Sequence, residues 1–415
     1  MNLSKSYSNN ILIYLFFYFT LIIGFLFNEE SAGGAKYDYN YHLGIVDFFL
    51  SDTINALKNY SDVVAYHSPI FYVFLKYILY FGDLIGRFIF LNISSIAPII
   101  IYLCLNEKFK IKNFSFLYLS CFIMLSPYYR STAIWPGDEN LALLFFILSI
   151  LFYYKFLNTD NINHKITFII LNVISLAVSA YFRPNYSFFS IFYFYEFVIR
   201  NFQFKYFFAY FLTSFFLAFP AFYYVFIMKI YFFSSPVSDF NPLRSFSLTY
   251  TIFLFYLVPF IFLNFNKKNY FLKLNYLNLF FTFIFTIIFF YYFKYEHSTG
   301  GGIFYMIQKN FFDSNFFMSL IFAISFYFSN ILLEINKTKN IILIIILLFF
   351  ELDFYFYMET FDPLFLLCLL LLFDSKIINN FFNLSLIRNI NTLMGYLLIF
   401  YIAKIVNLHF FLNKL

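Results

Sequence analysis

Apolar runs of about 17 to 22 residues recur along this chain of 415 residues from one end to the other, and each is long enough to cross a bilayer as a helix. Lipid offers no partner to an exposed peptide group, so such runs must become helices or the strands of a closed barrel. They lack the alternation of barrel strands. The expectation is therefore an all-α, polytopic bundle. Hydrophobic residues make up 62% of the chain and charged ones 12%, the balance of a membrane protein rather than a soluble one. About thirteen spans are read, near 11–27, 84–105, 114–127, 139–156, 166–182, 185–199, 206–227, 248–264, 275–293, 314–333, 340–357, 364–374 and 391–408. Residues 1–415 read as a single integral membrane domain. Within it, 28–83 form a first external loop, and its short apolar stretch Ser68–Phe81 is expected to lie as a helix at the interface.

The charges set an orientation. Lys5, Lys108, Lys110, Lys112, Lys155, Lys165, Arg200, Lys205, Lys267, Lys268, Lys273, Lys337, Lys339, Lys376 and Arg388 fall on one side. Most of the acids, from Glu29 and Asp38 to Glu359 and Asp362, fall on the other. The positive-inside rule then predicts a cytoplasmic N-terminus and acidic outer loops. The basic residues are dispersed between spans, which argues against a nucleic-acid partner. Cys104, Cys121 and Cys368 lie in apolar segments without metal spacing. Ile11–Phe27 is long for a signal peptide and is followed by a poor cleavage site, so it is expected to remain as a span. The 74 phenylalanines, with many Ile, Asn, Lys and Tyr, suggest a bacterial gene of low GC content. No internal repeat and no matched pair of broken helices points to an inverted-repeat transporter.

The chemistry-bearing residues sit in the outward loops. In Tyr37-Asp38-Tyr39-Asn40-Tyr41-His42, Asp38 and His42 share a face if the segment is helical. A carboxylate walled by aromatic rings acquires a raised pKa and can serve as a general base; alternatively Asp38 is solvated and the tyrosines form an interfacial belt. Gly33-Gly34 permit close approach of a ligand or make a turn. His67-Ser68-Pro69 opens the interfacial helix, with Ser68 as cap and Pro69 in the first turn; His67 faces the loop or is a surface side chain. Arg130, the lone Trp135, and Pro136-Gly137-Asp138-Glu139 follow. The two acids either complement a helix dipole or bind metal or sugar. Arg183, at the outer end of the fifth span, either grips phosphate or snorkels to headgroups. His297 precedes Gly300-Gly301-Gly302, and Lys309 follows; these glycines offer N–H groups to an anion or make a flexible turn. Glu351 and Asp353 fall within an expected span, which marks them as functional candidates, and Glu359 and Asp362 lie just beyond.

Taken in order, Asp38, His67-Ser68-Pro69, Pro136-Gly137-Asp138-Glu139 and Arg183 resemble the motifs of the membrane-embedded glycosyltransferases of the GT-C class. Gly300-Gly301-Gly302-Ile303-Phe304 and Phe361-Asp362-Pro363-Leu364 look similar to segments of O-antigen repeat-unit polymerases of bacterial surface-polysaccharide clusters. The pattern departs from both. His67-Ser68-Pro69 lacks a second proline, and the large late loop with paired arginines of better-known polymerases is not seen. The resemblance implies a GT-C-like bundle in a bacterial inner membrane, acting on a polyprenyl-linked oligosaccharide at the periplasmic face. Its partners would be membrane lipid and a chain-length regulator, and it leaves room for a divalent cation, Mg or Mn. It implies Asp38 as catalytic base, with His42 and His67 beside it. Arg183 and Arg130 would stabilise the lipid phosphate. Asp138, Glu139, His297, Gly301, Lys309, Glu359 and Asp362 would line the substrate site. The alternatives are a GT-C enzyme that adds a single sugar, and a flippase for the lipid-linked unit.

Overall fold

The structure is a computed structural model, and it describes residues 3–62, 67–228, 242–264, 276–295, 300–312, 314–351, 356–383 and 385–410. The described residues are helical throughout, with no strand among them. Seven of the described helices are long and apolar enough to cross a membrane. The chain divides into two compact units, one of residues 1–232 with 397–415, the other of residues 233–396.

The first unit opens with α1 (Leu3–Leu26), followed by the loop helices α2 (Ala35–Ser51) and α3 (Thr53–Lys58). The expected interfacial helix is α4 (Pro69–Leu79), which starts at Pro69 with Ser68 in the cap position. The Ser68 side chain makes no capping bond, so the proline fixes this helix start. The span read at 84–105 lies within one segment long and apolar enough to cross a membrane, Asp83–Phe109, made of α5 (Asp83–Ser94) and α6 (Ala97–Phe109) with a turn between them. Pro98 lies in the first turn of α6; its ring fits a helix start and disfavours an uninterrupted one. The next expected span is short, α7 (Ser115–Ser120) running into a 3₁₀ turn to Leu125. Ser126 then caps α8 (Pro127–Ile134), accepting from Tyr129 N–H at 3.0 Å.

Two long spans follow, α9 (Asp138–Asn158) and α10 (Ile162–Phe182). The three residues between them allow only an antiparallel hairpin, and buried polar contacts fix its register. Ser179 Oγ donates to the Ala142 carbonyl and Asn172 Nδ2 to the Ser149 carbonyl, both at 2.7 Å. Next come a 3₁₀ turn over Pro184–Phe188, the short helix α11 (Phe189–Phe194) and a π turn over Tyr195–Ile199. Glu196, fully buried, accepts from Tyr153 Oη at 2.7 Å and pairs with Arg200 at 3.1 Å. Its partner Tyr153 lies late in α9, toward the end of the hairpin away from Asp138.

In α12 (Phe204–Phe222), Pro220 sits inside the helix, where its ring and missing N–H break the hydrogen-bond ladder. Tyr181 repairs the break. Its hydroxyl donates to the Leu217 carbonyl and accepts from Ala221 N–H, the two groups that would otherwise bond each other.

The second unit contains α13 (Pro242–Asn264), α14 (Tyr276–Tyr292), α15 (Gly302–Ile307), α16 (Asn315–Leu332), α17 (Thr338–Leu348), α18 (Leu364–Leu371) and α19 (Lys376–Asn383). The expected spans at 340–357 and 364–374 are thus shorter helices. A chain of amides ties three of these elements together. Tyr250 Oη donates to Asn330 Oδ1 at 3.0 Å, and Asn330 Nδ2 donates to Asn278 Oδ1 at 3.2 Å. Polar bridges of this kind hold helices together where lipid removes the hydrophobic drive. The last helix, α20 (Leu386–Phe410), contributes its later residues to the first unit.

The loop after α1 is anchored by one ion pair. Arg130 donates from Nε and Nη2 to the two Glu29 carboxylate oxygens at 2.8 and 2.6 Å. Its other bonds go to Thr20 Oγ1, the Thr20 carbonyl and the Met124 carbonyl. Arg87 stacks on the Trp135 ring, 3.5 Å from its centroid, and donates to the Ile134 carbonyl and Asn28 Oδ1. Trp135 Nε1 donates to the Glu29 carbonyl at 3.1 Å. These contacts fasten α8 and the turn before α2 into one block, over an apolar cluster that includes Leu21, Phe25, Tyr39 and Leu91.

Burial alone would raise the Glu29 pKa, but the Arg130 hydrogen bonds and charge hold it below its ordinary 4.5. A depressed carboxylate stabilises the fold above its unfolded value, and that stability is lost as pH falls through the folded pKa. The thermal unfolding midpoint in detergent is therefore expected to fall below pH 4.5. Glu29→Gln should be less stable at neutral pH and flatter over that acid window. Arg130→Ala strands a buried carboxylate and should cost about 3–5 kcal/mol. Tyr181→Phe should cost about 1–3 kcal/mol by leaving the Leu217 and Ala221 groups unbonded, read as a lower unfolding midpoint.

Candidate functional site

Asp138 and Glu139 begin α9, where the helix dipole favours negative charge. Asn140 fixes that start against α8: its Oδ1 accepts from Thr132 Oγ1 at 2.9 Å, and its Nδ2 donates to the Tyr129 carbonyl at 3.1 Å. Arg183 ends α10, with its N–H still on the Ser179 carbonyl at 2.9 Å, and Pro184 turns the chain away. Because α9 and α10 are antiparallel, the first residues of one and the last of the other share an end of the hairpin. There Arg183 Nε lies 3.3 Å from Asp138 Oδ2, and Arg183 also forms a close ion pair with Glu139.

The loop helices bring the rest. His67, just before α4, places Nδ1 3.1 Å from Asp138 Oδ2, and Tyr60 Oη donates to its carbonyl at 2.5 Å. His42 meets His67 edge to face, ring centroids 5.0 Å apart, and packs on Phe71. Its Nδ1 is 3.4 Å from Tyr72 Oη. One ligand atom each from His42, His67 and Asp138 lie within 4.8 Å of one another. Asp38 is one turn before His42 in α2, as helical spacing predicts. Gly33 and Gly34, with φ of 73° and 112°, form the left-handed turn that starts α2, the turn reading of that pair.

Burial sets the protonation of the loop groups. It raises the pKa of Asp38, opposed by the Arg183 guanidinium and reinforced by the charge of Asp138. Burial likewise pushes His42 down, with His67 adding to the effect, to about 3. At neutral pH His42 is thus an uncharged imidazole with a lone pair to offer. Asp138, 1% exposed, keeps its charge compensated by the two partners on Oδ2, while Oδ1 accepts no hydrogen bond.

His42, His67, Asp138, Glu139 and Arg183 are therefore brought together at one end of the α9–α10 hairpin, and Asp38 lies one helical turn before His42, within reach of their charges. Arg130 is not with them; its donors are committed to Glu29, Thr20 and Met124. Gly301, Lys309, Glu359 and Asp362 belong to the second unit. There Gly301 N–H donates to the Phe356 carbonyl at 2.8 Å, Lys309 is exposed and Glu359 half-buried. Asp362 is buried and accepts from Tyr256 Oη at 2.5 Å. Glu351 is buried. His297 and Asp353 lie outside the described residues. Tyr72, which orients His42, was not singled out from sequence. Its only signal there is its place one turn into the helix that His67 opens.

Chemically, this end of the hairpin offers a guanidinium fixed by two acids and two imidazoles beside a buried carboxylate, with a carboxyl of raised pKa, Asp38, on the neighbouring loop helix. No family model, curated protein or solved structure matches this chain.

Proposed function

We propose that this chain is a membrane glycosyltransferase that draws its sugar from a polyprenyl phosphate or diphosphate carrier, and that its acceptor is a repeat unit of a bacterial surface polysaccharide. The observation that carries this reading is a guanidinium, Arg183, held by Asp138 and Glu139 at one end of a membrane hairpin, with its charge felt by Asp38 on the neighbouring loop helix. The site would open on the periplasmic side, as the distribution of basic loops suggests, in a GT-C-like bundle of about thirteen spans. The acceptor hydroxyl attacks the anomeric carbon, and its proton passes to Asp38. The bond from that carbon to the carrier phosphate breaks, and the Arg183 guanidinium balances the charge on the departing phosphate. The loop tyrosines suit the faces and hydroxyls of sugars.

Glycosyl transfer by the purified protein, from a labelled polyprenyl-diphosphate oligosaccharide, tests the reading. Asp38→Asn should lower the rate by about 10²- to 10⁴-fold, and Arg183→Ala should also impair transfer; full activity in both variants would sink these roles. The acid limb of the pH–rate profile should lie above the ordinary aspartate value of 3.8, because Asp38 is raised. Arg183→Gln removes a charge that lowers that pKa, so it should move the limb to higher pH. Gene deletion separates the alternatives. Polysaccharide reduced to one repeat supports the polymerase, a ladder with altered spacing a single-sugar transferase, and loss of every band a flippase.

A further inference from the structure

We infer that His42, His67 and Asp138 form a binding site for one divalent transition-metal ion of the zinc class. Their ligand atoms lie within 4.8 Å of one another. Bonds of about 2.0–2.2 Å in tetrahedral geometry put ligand atoms about 3.4 Å apart, so modest side-chain rotations close the cluster on an ion. The separate observation that points to a ligand is at Asp138. This carboxylate is 1% exposed, its Oδ2 takes both His67 and Arg183, and its buried Oδ1 has no hydrogen-bond partner. A buried carboxylate oxygen ordinarily finds a donor or a cation.

The donor set selects the metal. Two imidazoles and one carboxylate suit zinc and its neighbours, whereas magnesium and calcium favour oxygen ligands. This changes the cation expected from the sequence, Mg or Mn, to one with affinity for nitrogen. The hydrogen bonds also suit ligation. His67 Nδ1 already lies 3.1 Å from Asp138 Oδ2, near the spacing of two ligand atoms on one ion, and with Nδ1–H of His42 donating to Tyr72 that ring keeps its Nε2 lone pair for the ion, the outer-shell support usual at metal-binding histidines. Three protein ligands leave a fourth position for water or substrate, as in sites where a metal meets the reacting molecule. The inference rests on the cluster and not on glycosyl transfer, and its test measures metal alone.

The full chain, purified in detergent without a histidine tag and stripped with chelator, would be titrated with zinc against a fluorescent competitor, and with cobalt(II) followed by absorption. One equivalent of zinc per chain is expected, with an intense tetrahedral cobalt spectrum. Tyr72→Phe should weaken zinc binding by about 10-fold or more, and His42→Gln and His67→Gln by more than that. The cobalt spectrum of the wild-type chain decides the matter even if the histidine variants fail to fold. Absence of a zinc equivalent in the wild-type chain would overturn the site. So would a weak octahedral cobalt spectrum, equal affinity for magnesium, or unchanged zinc binding in both folded histidine variants.

Discussion

A carboxylate withdrawn from water at the head of an apolar helix is the constraint on which the first unit depends. Asp138 is buried, and a charge in that position is tolerated only if opposite charge and hydrogen-bond donors reach it. Arg183 comes from the far end of the neighbouring helix and His67 from the loop before α4. Meeting the demand at Asp138 therefore sets where α10 must end and where the loop must fold back. The polar register bonds along α9 and α10, Ser179 to Ala142 and Asn172 to Ser149, act in the same sense. They stop the hairpin from sliding, and so keep Arg183 level with Asp138.

The two arginines read from sequence as phosphate ligands differ in what surrounds them. Arg130 is 3% exposed and spends its donors on a bidentate carboxylate, a hydroxyl and two carbonyls. A phosphate there would have to displace a completed network. Arg183 is held by acids at a partly exposed end of the hairpin, its side chain 20% exposed, where a phosphate could approach. Burial and partner count, rather than residue type, separate a structural arginine from a candidate binding one. Neither is visible in a string of letters.

Much of the architecture was legible because lipid makes the code severe: long apolar runs must be helices, and α9, α10, α12 and α13 lie where such runs predict. Legibility failed where the run is real but the helix is not continuous. Pro98 divides α5 from α6, and the 3₁₀ and π turns after Pro184 divide the next segment; hydrophobicity records these residues as apolar and misses the interruption. At the site, Asp38 and His42 were legible from four-residue spacing, and Asp138 and Glu139 from their place at a helix start. The meeting of His42, His67 and Asp138 was not, since it joins three elements through tertiary packing. Nor was the role of Tyr72, one aromatic residue among the chain's 39 tyrosines.

Burial acts on Asp38 and His42 in a way that bears on reactivity. Both sit on α2, one turn apart, and the low-dielectric surroundings push each toward its uncharged form, Asp38 upward and His42 downward. A carboxylate with a raised pKa is a stronger base once ionised, and an imidazole kept neutral keeps its lone pair. The positive charge that keeps Asp38 from rising further comes from the Arg183 guanidinium, which also compensates Asp138. One cation thus serves two carboxylates. Any ligand that draws Arg183 toward itself, a phosphate above all, weakens its hold on both, raising the proton affinity of Asp38 at the moment the ligand is bound. In the glycosyl transfer proposed above, a base tuned in that way would be weak while the site is empty and stronger when it is filled.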